Sequence, residues 1–280
     1  MKKNILALLS VLLLVVLAAC GGGNDDAEVG EEDAEGNTKL LVGASSVPHG
    51  EILEEAQALL EEENIELEIE PYEDYVLPND DLDNETLDAN YFQHIPYLEQ
   101  TIEDTGYELT HIGGIHIEPM GVYSTSFDSV DDIPDGTEVL LSNSVADHGR
   151  VLGLFESEGL ITIKDGVDVA EATLDDIEEN PKDLEFVADY DPAFLPELYE
   201  KEKDTVAVIN TNYAIEAGLN PLEDSLFIEG DDSPFVNVLA VREADKDNEA
   251  LNKLVDVLHS EEIQDFIVEK YEGAVVPVSN

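Results

Sequence analysis

Apolar residues recur along this chain at two periods, and the switching between them outlines the fold. Leu40, Leu41 and Val42, within Lys39–Gly43, make a short continuous apolar run, the pattern of a strand buried on both faces. After the turn residues Ser45–Gly50, the positions Ile52, Leu53, Ala56, Leu59 and Leu60 fall on one face of a helix. Ile65, Leu67 and Ile69 then alternate with glutamates at the two-residue period of a strand. Strand, helix, strand in that order is a βαβ unit and implies a parallel sheet.

The theme returns further on. Glu138–Leu141 reads as a strand and Gly149–Glu158 as a helix. Thr205–Ile209 reads as a strand, followed by a helix over Thr211–Ala217 that Gly218 stops. Phe235–Val241 is another strand, and helices near Asn248–His259 and Glu261–Tyr271 close the chain. No internal repeat is visible. The fold class is therefore α/β, and 280 residues leave room for two α/β lobes with a cleft between them.

The start of the chain follows a different pattern. Lys2 and Lys3 precede Ile5–Leu17, which is nearly all aliphatic, and the run ends in Leu17-Ala18-Ala19-Cys20. It is too short for a comfortable membrane span and finishes in small residues, as a secretory signal does. The ending resembles the lipobox of bacterial lipoproteins, where the thiol is lipidated and becomes the first residue of the mature chain. An ordinary signal with an incidental cysteine is the alternative, but the only cysteine in the chain falls where a lipobox needs it. Residues 1–19 thus read as a lipoprotein signal peptide and Cys20 as the lipidation site. Residues 20–37, rich in glycine and acid, read as a flexible tether; Gly21–Asn37 would reach about 23 Å as a Gly-rich coil. The expected location is the extracytoplasmic face of the cell membrane, held by lipid.

Charge changes the picture again. Twelve Lys and Arg stand against 67 Asp and Glu, a net charge of −55. That excludes nucleic acid and anionic lipid headgroups as natural partners. Acid spread over the whole chain, with lysine scarce, looks like adaptation to high external salt, where screening shortens to about 3 Å near 1 M. Only two arginines survive, Arg150 and Arg242, so each invites a reason. Arg242 stands at a strand end beside Glu243 and reads as a surface ion pair.

Several segments are more specific than any period. They are Asp74-Tyr75-Val76-Leu77-Pro78-Asn79, the run Leu87-Asp88-Ala89-Asn90-Tyr91-Phe92-Gln93-His94-Ile95-Pro96-Tyr97-Leu98, Gly149-Arg150, Glu179-Asn180-Pro181-Lys182, Ala207–Ala214, and Ser233-Pro234-Phe235-Val236-Asn237. Together and in this order they resemble the NlpA/MetQ-type methionine-binding lipoproteins, substrate receptors of a bacterial ABC importer, from about Lys39 to the C-terminus. The resemblance implies a periplasmic-binding-protein type II-like fold. Residues 38–121 plus 235–280 would form lobe one and residues 122–234 lobe two, with crossings near Pro119–Tyr123 and Asp232–Phe235. It also implies an ABC permease and its ATPase as partners, and methionine (L- or D-) or a close derivative as ligand. Another small amino acid, or a methionyl peptide, is the alternative.

A free amino acid needs a cation for its carboxylate, acceptors for its ammonium and a pocket for its side chain. Arg150, near the start of a predicted helix, suits the carboxylate, because a planar guanidinium can grip it with two parallel hydrogen bonds. Tyr75, Phe92, His94 and Tyr97 match the family's side-chain pocket, and aromatic walls suit a thioether. Asn210 and Asn237 match ligand contacts and offer both carbonyl and N–H groups; Asn212 is balanced between such a role and turn chemistry. Before Gly149-Arg150 the family usually carries an Asn where this chain has Asp147, which could hold the ammonium or could be a further salt-adaptation substitution.

Rival classes are weaker. Carboxylates abound, yet there is no GxSxG elbow, no HExxH and no cysteine after Cys20, so no enzyme is expected. A metal-binding receptor is disfavoured, since His111 and His116, the closest pair of histidines, do not share a helical face. A purely structural surface protein would have no use for an aromatic cleft with a lone Arg. Neither cofactor nor metal is called for.

Overall fold

The computed structural model of the chain describes residues 29–30, 36–230 and 233–278. The signal-peptide reading of residues 1–19 and the lipidation of Cys20 lie outside the described residues. Two sheets organise the rest. The first has six strands in the order Val276–Pro277, Leu109–Ile117, Val236–Arg242, Ala89–His94, Thr38–Ser45 and Ile65–Tyr72. The second has five, in the order Phe227–Ile228, Gly121–Tyr123, Val206–Ile209, Glu138–Ser142 and Glu185–Tyr190.

The first βαβ unit forms as its pattern dictates. Thr38–Ser45 and Ile65–Tyr72 pair in parallel, from Thr38 opposite Ile65 to Ser45 opposite Tyr72. The helix Glu51–Glu62 lies across them and buries Ile52, Leu53, Ala56 and Leu60 completely against Leu40, Val42 and Ala44. Helices Glu249–Leu258 and Glu261–Tyr271 complete the same core, capped by the side chains of Asn248 and Ser260.

The second sheet is covered on both faces, and the two-residue period divides its side chains. Val139, Leu141, Val206 and Val208 pack on Val151, Leu152 and Phe155 of the helix Val145–Ser157. Leu140, Ala207 and Ile209 point the other way, onto Leu195, Tyr213 and Ala214. Among the described residues no helix is long and apolar enough to cross a membrane.

Sheet membership changes twice along the chain. Leu109–Ile117 belongs to the first sheet and Gly121–Tyr123 to the second; Phe227–Ile228 belongs to the second and Val236–Arg242 to the first. The chain therefore passes from one sheet to the other between Ile117 and Gly121 and returns between Ile228 and Val236.

One expectation needs correction. The helix carrying Arg150 begins at Val145, four residues before Gly149. Its first turn holds an exposed Val145 and a buried Asp147, the reverse of an amphipathic signal. Arg150 thus sits in the second turn, beyond the free N–H groups of the helix start. Arg242 forms an ion pair as expected, its Nε meeting Asp245 at 2.6 Å, and its Nη1 also donates to the carbonyls of Leu82 (2.7 Å) and Leu87 (2.6 Å), bracing the first lobe.

Gly149 has a reason of its own. A Cβ there would lie 2.3 Å from the carbonyl oxygen of Val169, so only glycine lets that segment lie flat on the helix beside Arg150.

Candidate ligand-binding site

The cavity between the two sheets is built from both lobes. The strand Ala89–His94 supplies Phe92 and His94, and the helix Ile95–Thr105 that follows supplies Tyr97 in its first turn. Tyr75 comes from the turn after the strand Ile65–Tyr72, and Asn237 from the strand Val236–Arg242. From the other lobe come Arg150 and Asn210, the latter at the N-terminus of the helix Thr211–Glu216. Tyr75, Phe92, His94, Tyr97, Arg150, Asn210 and Asn237 all line this one cavity. The cavity has a volume of about 390 Å³, part of it open to solvent.

One wall is aromatic. The ring of Tyr75 lies 5.8 Å from Phe92, 6.0 Å from Tyr97 and 5.0 Å from Tyr213, centre to centre. Phe92 and Tyr97 meet edge-on at 6.1 Å. The two tyrosine hydroxyls are engaged: Tyr75 donates to Asn212 Oδ1 at 2.6 Å and Tyr97 to the carbonyl of Tyr75 at 3.0 Å. The faces left over suit an apolar, polarisable side chain.

The opposite end is polar. His94 Nδ1 accepts the backbone N–H of Tyr97 at 3.2 Å, which places the ring proton on Nε2, 3.0 Å from Asp147 Oδ1. Asp147 Oδ2 accepts from Asn210 Nδ2 at 3.3 Å. Asp147 is buried, and burial alone raises a carboxyl pKa. The hydrogen bond from His94, the charge of Arg150 and the bond from Asn210 outweigh it and hold Asp147 below its usual range. The Asn210 carbonyl oxygen is buried with no hydrogen-bond partner among the described residues.

Arg150 is buried, and it is already engaged. Its Nε and Nη2 both donate to Glu229 Oε2, at 3.0 and 2.6 Å, and Nη2 also donates to the carbonyl of Glu118 at 2.6 Å. Its guanidinium lies 4.6 Å from the centre of the Phe235 ring. Among the described residues only Nη1 is left for a ligand.

Glu118 occupies the first crossing between lobes. Its Oε1 lies 2.8 Å from His116 Nε2 and 3.1 Å from His49 Nε2, and the backbone N–H of Asn212 reaches the same carboxylate. Burial is the leading influence and raises its pKa, with His49 and Arg150 opposing. His49, His116 and Glu118 are the group among the described residues whose donor atoms could surround a cation, all lying within 4.8 Å. A tetrahedral ion with bonds near 2.05 Å would space its ligands roughly 3.3 Å apart. The shorter separations seen are those of hydrogen bonds between the three groups.

Sequence reasoning did not single out Gln93, Glu118 or Thr211, which line the cavity together with Asp147 and Asn212, nor Glu229, which holds Arg150. One acid among 67 carries no signal of its own. Asn212, balanced between ligand and turn chemistry, spends its carbonyl on Tyr75.

Known proteins place this architecture. The family model described as NlpA lipoprotein matches residues 40–279. The methionine-binding lipoprotein MetQ of Bacillus subtilis is 43% identical over 283 residues, covering 100% of both chains. The D-methionine-binding lipoprotein MetQ of Escherichia coli K12 is 37% identical over 238 residues, 85% of this chain and 86% of its own. A nutrient-binding protein of Burkholderia cenocepacia, solved bound to methionine, superposes with a TM-score of 0.80 at 37% identity, over 85% of this chain and 99% of its own. The chain belongs to the NlpA lipoprotein family.

Proposed function

We propose that the chain is a lipid-anchored, extracytoplasmic substrate-binding protein of an ABC importer, taking methionine or a close derivative between its two lobes. The observation that carries the reading is that one cavity joins an aromatic wall to a guanidinium, a carboxylate and an unpaired amide carbonyl. A free amino acid with an apolar side chain answers all of these groups at once. Relatives named for methionine or D-methionine binding, and a neighbour solved with methionine bound, support the ligand class.

In this reading Tyr75, Phe92 and Tyr97 hold the thioether, with His94 closing the wall on the polar side. Arg150 offers Nη1 to the carboxylate, and Asn210 and Asn237 supply the remaining polar contacts. Residues 38–121 plus 235–280 move as one lobe and 122–234 as the other. Closure desolvates the ligand and creates the shape that a membrane permease with its ATPase accepts. Cys20 anchors the protein at the outer face of the cell membrane; two acyl chains suffice where one holds only weakly. The protein binds and delivers its ligand unchanged, without a cofactor.

Calorimetry with L- and D-methionine, alongside mass spectrometry of small molecules that co-purify, tests the proposal. Saturable one-to-one binding of either enantiomer is expected. Indifference to both, with an unrelated molecule co-purifying, would overturn it.

A further inference from the structure

The notable imbalance in the cavity is between its charges. The guanidinium of Arg150 is answered by Glu229, with both N–H groups on one oxygen. Glu118 is surrounded by His49, His116 and the Asn212 N–H. Asp147 is different. It is 2% exposed, lines the cavity, and has one protein donor on each oxygen, so each retains acceptor capacity. Beside it the Asn210 carbonyl has no donor at all among the described residues, although its own amide is fixed on Asp147. An acceptor with no described donor thus lies beside a charged carboxylate whose oxygens can each accept a further bond.

A buried acceptor left without a donor is costly, and a charged one more so. The ligand group that satisfies both is a protonated amine, which brings three N–H donors and a compensating charge. The carboxylate end is less demanding: Nη1 of Arg150 is the part of that guanidinium not already bonded to a described residue. Building on the methionine-type reading above, we infer that the site selects its ligand chiefly by the α-ammonium, held by Asp147 and Asn210, and treats the carboxylate as a secondary contact. The substrate class is then primary amines bearing a methionine-like side chain, including those whose carboxyl is masked as an amide.

The test compares three probes by calorimetry near pH 6, where the amines are protonated. They are L-methionine, L-methioninamide, which lacks the carboxylate charge, and 4-(methylthio)butanoate, which lacks the amine. Wild-type protein should bind the amide within about tenfold of methionine and the des-amino acid about a hundredfold or more weaker, the scale of a charge-assisted bond to a buried group. Asp147→Asn should weaken methionine and the amide about tenfold or more and leave the des-amino acid unchanged or tighter. An amide that binds more weakly than the des-amino acid would overturn the inference while leaving methionine as the ligand. Equal losses for all three probes in the variant would make Asp147 merely structural, which also overturns it. If methionine itself does not bind the wild type, the functional reading fails, and this inference with it. The wild-type ranking needs no variant, so poor folding of Asp147→Asn does not spoil the test.

Discussion

The hydroxyl of Tyr75 donates to the side-chain carbonyl of Asn212 at 2.6 Å, bridging the two lobes between residues 137 positions apart. Tyr213 makes a parallel bond, its hydroxyl donating to the carbonyl of Glu73 at 3.0 Å. Both form only when the lobes are together. Tyr75→Phe keeps the ring in the aromatic wall and removes one latch. A net hydrogen bond contributes about 0.5–1.5 kcal/mol, so affinity should fall about two- to tenfold through faster ligand release. Stopped-flow measurement of the dissociation rate checks this; an unchanged rate would show that the bond does not restrain opening.

Arg150→Ala separates two roles. Removing the guanidinium leaves Glu229 and the Glu118 carbonyl without their partner, so stability should fall together with affinity, the former by about 1–3 kcal/mol. The double variant Arg150→Ala, Glu229→Gln removes the stranded charge and should recover most of the melting temperature, while methionine affinity stays at least about tenfold down. Recovery of affinity in the double variant would mean that Arg150 acts on the ligand only through Glu229.

Acid should destabilise the fold well before its carboxylates titrate. Burial lowers His49 to about 4 and His116 to about 3, against an ordinary value of 6.5. Below pH 6.5 the unfolded chain takes up protons that the native histidines refuse, so stability is lost as pH falls from about 6.5 toward 4. Each histidine contributes about 1.4 kcal/mol per pH unit in that window. Glu118, raised by burial, works in the opposite sense and offsets part of the loss. Thermal melts between pH 7 and 4.5 should therefore decline steeply in wild type and less steeply in His116→Gln. Parallel slopes would mean that His116 gains its proton without cost.

Ionic strength should matter for the whole molecule. With a net charge of −55, self-repulsion is screened over about 10 Å at 0.1 M salt and about 3 Å at 1 M. The melting temperature should rise between low and molar NaCl; a flat curve would show the surface acids to be well enough spaced without it.

How much of this was readable beforehand differs by element. Ile52, Leu53, Ala56 and Leu60 announce their helix because a covered face must repeat every three to four residues. The start of the helix Val145–Ser157 was hidden, because its first turn exposes Val145 and buries Asp147 at the cavity. Phe92, His94 and Tyr97 were found through a dense motif that brings neighbours in sequence to one wall. Glu229 and Glu118 were not. Their importance lies in meeting Arg150 across 79 and 32 positions, and no local pattern records such a meeting.

Glu229 also fastens the two connections between lobes to each other. Its Oε2 accepts the backbone N–H of Met120 at 3.2 Å in the first, its Oε1 accepts the hydroxyl of Ser233 at 2.9 Å in the second, and its own N–H donates to the Met120 carbonyl. Strands clasped in this way cannot bend independently. In the closing motion proposed above, the clasp would favour rotation about the line through it, which leaves those bonds in place, over sliding of one half across the other, as a door turns on one axis.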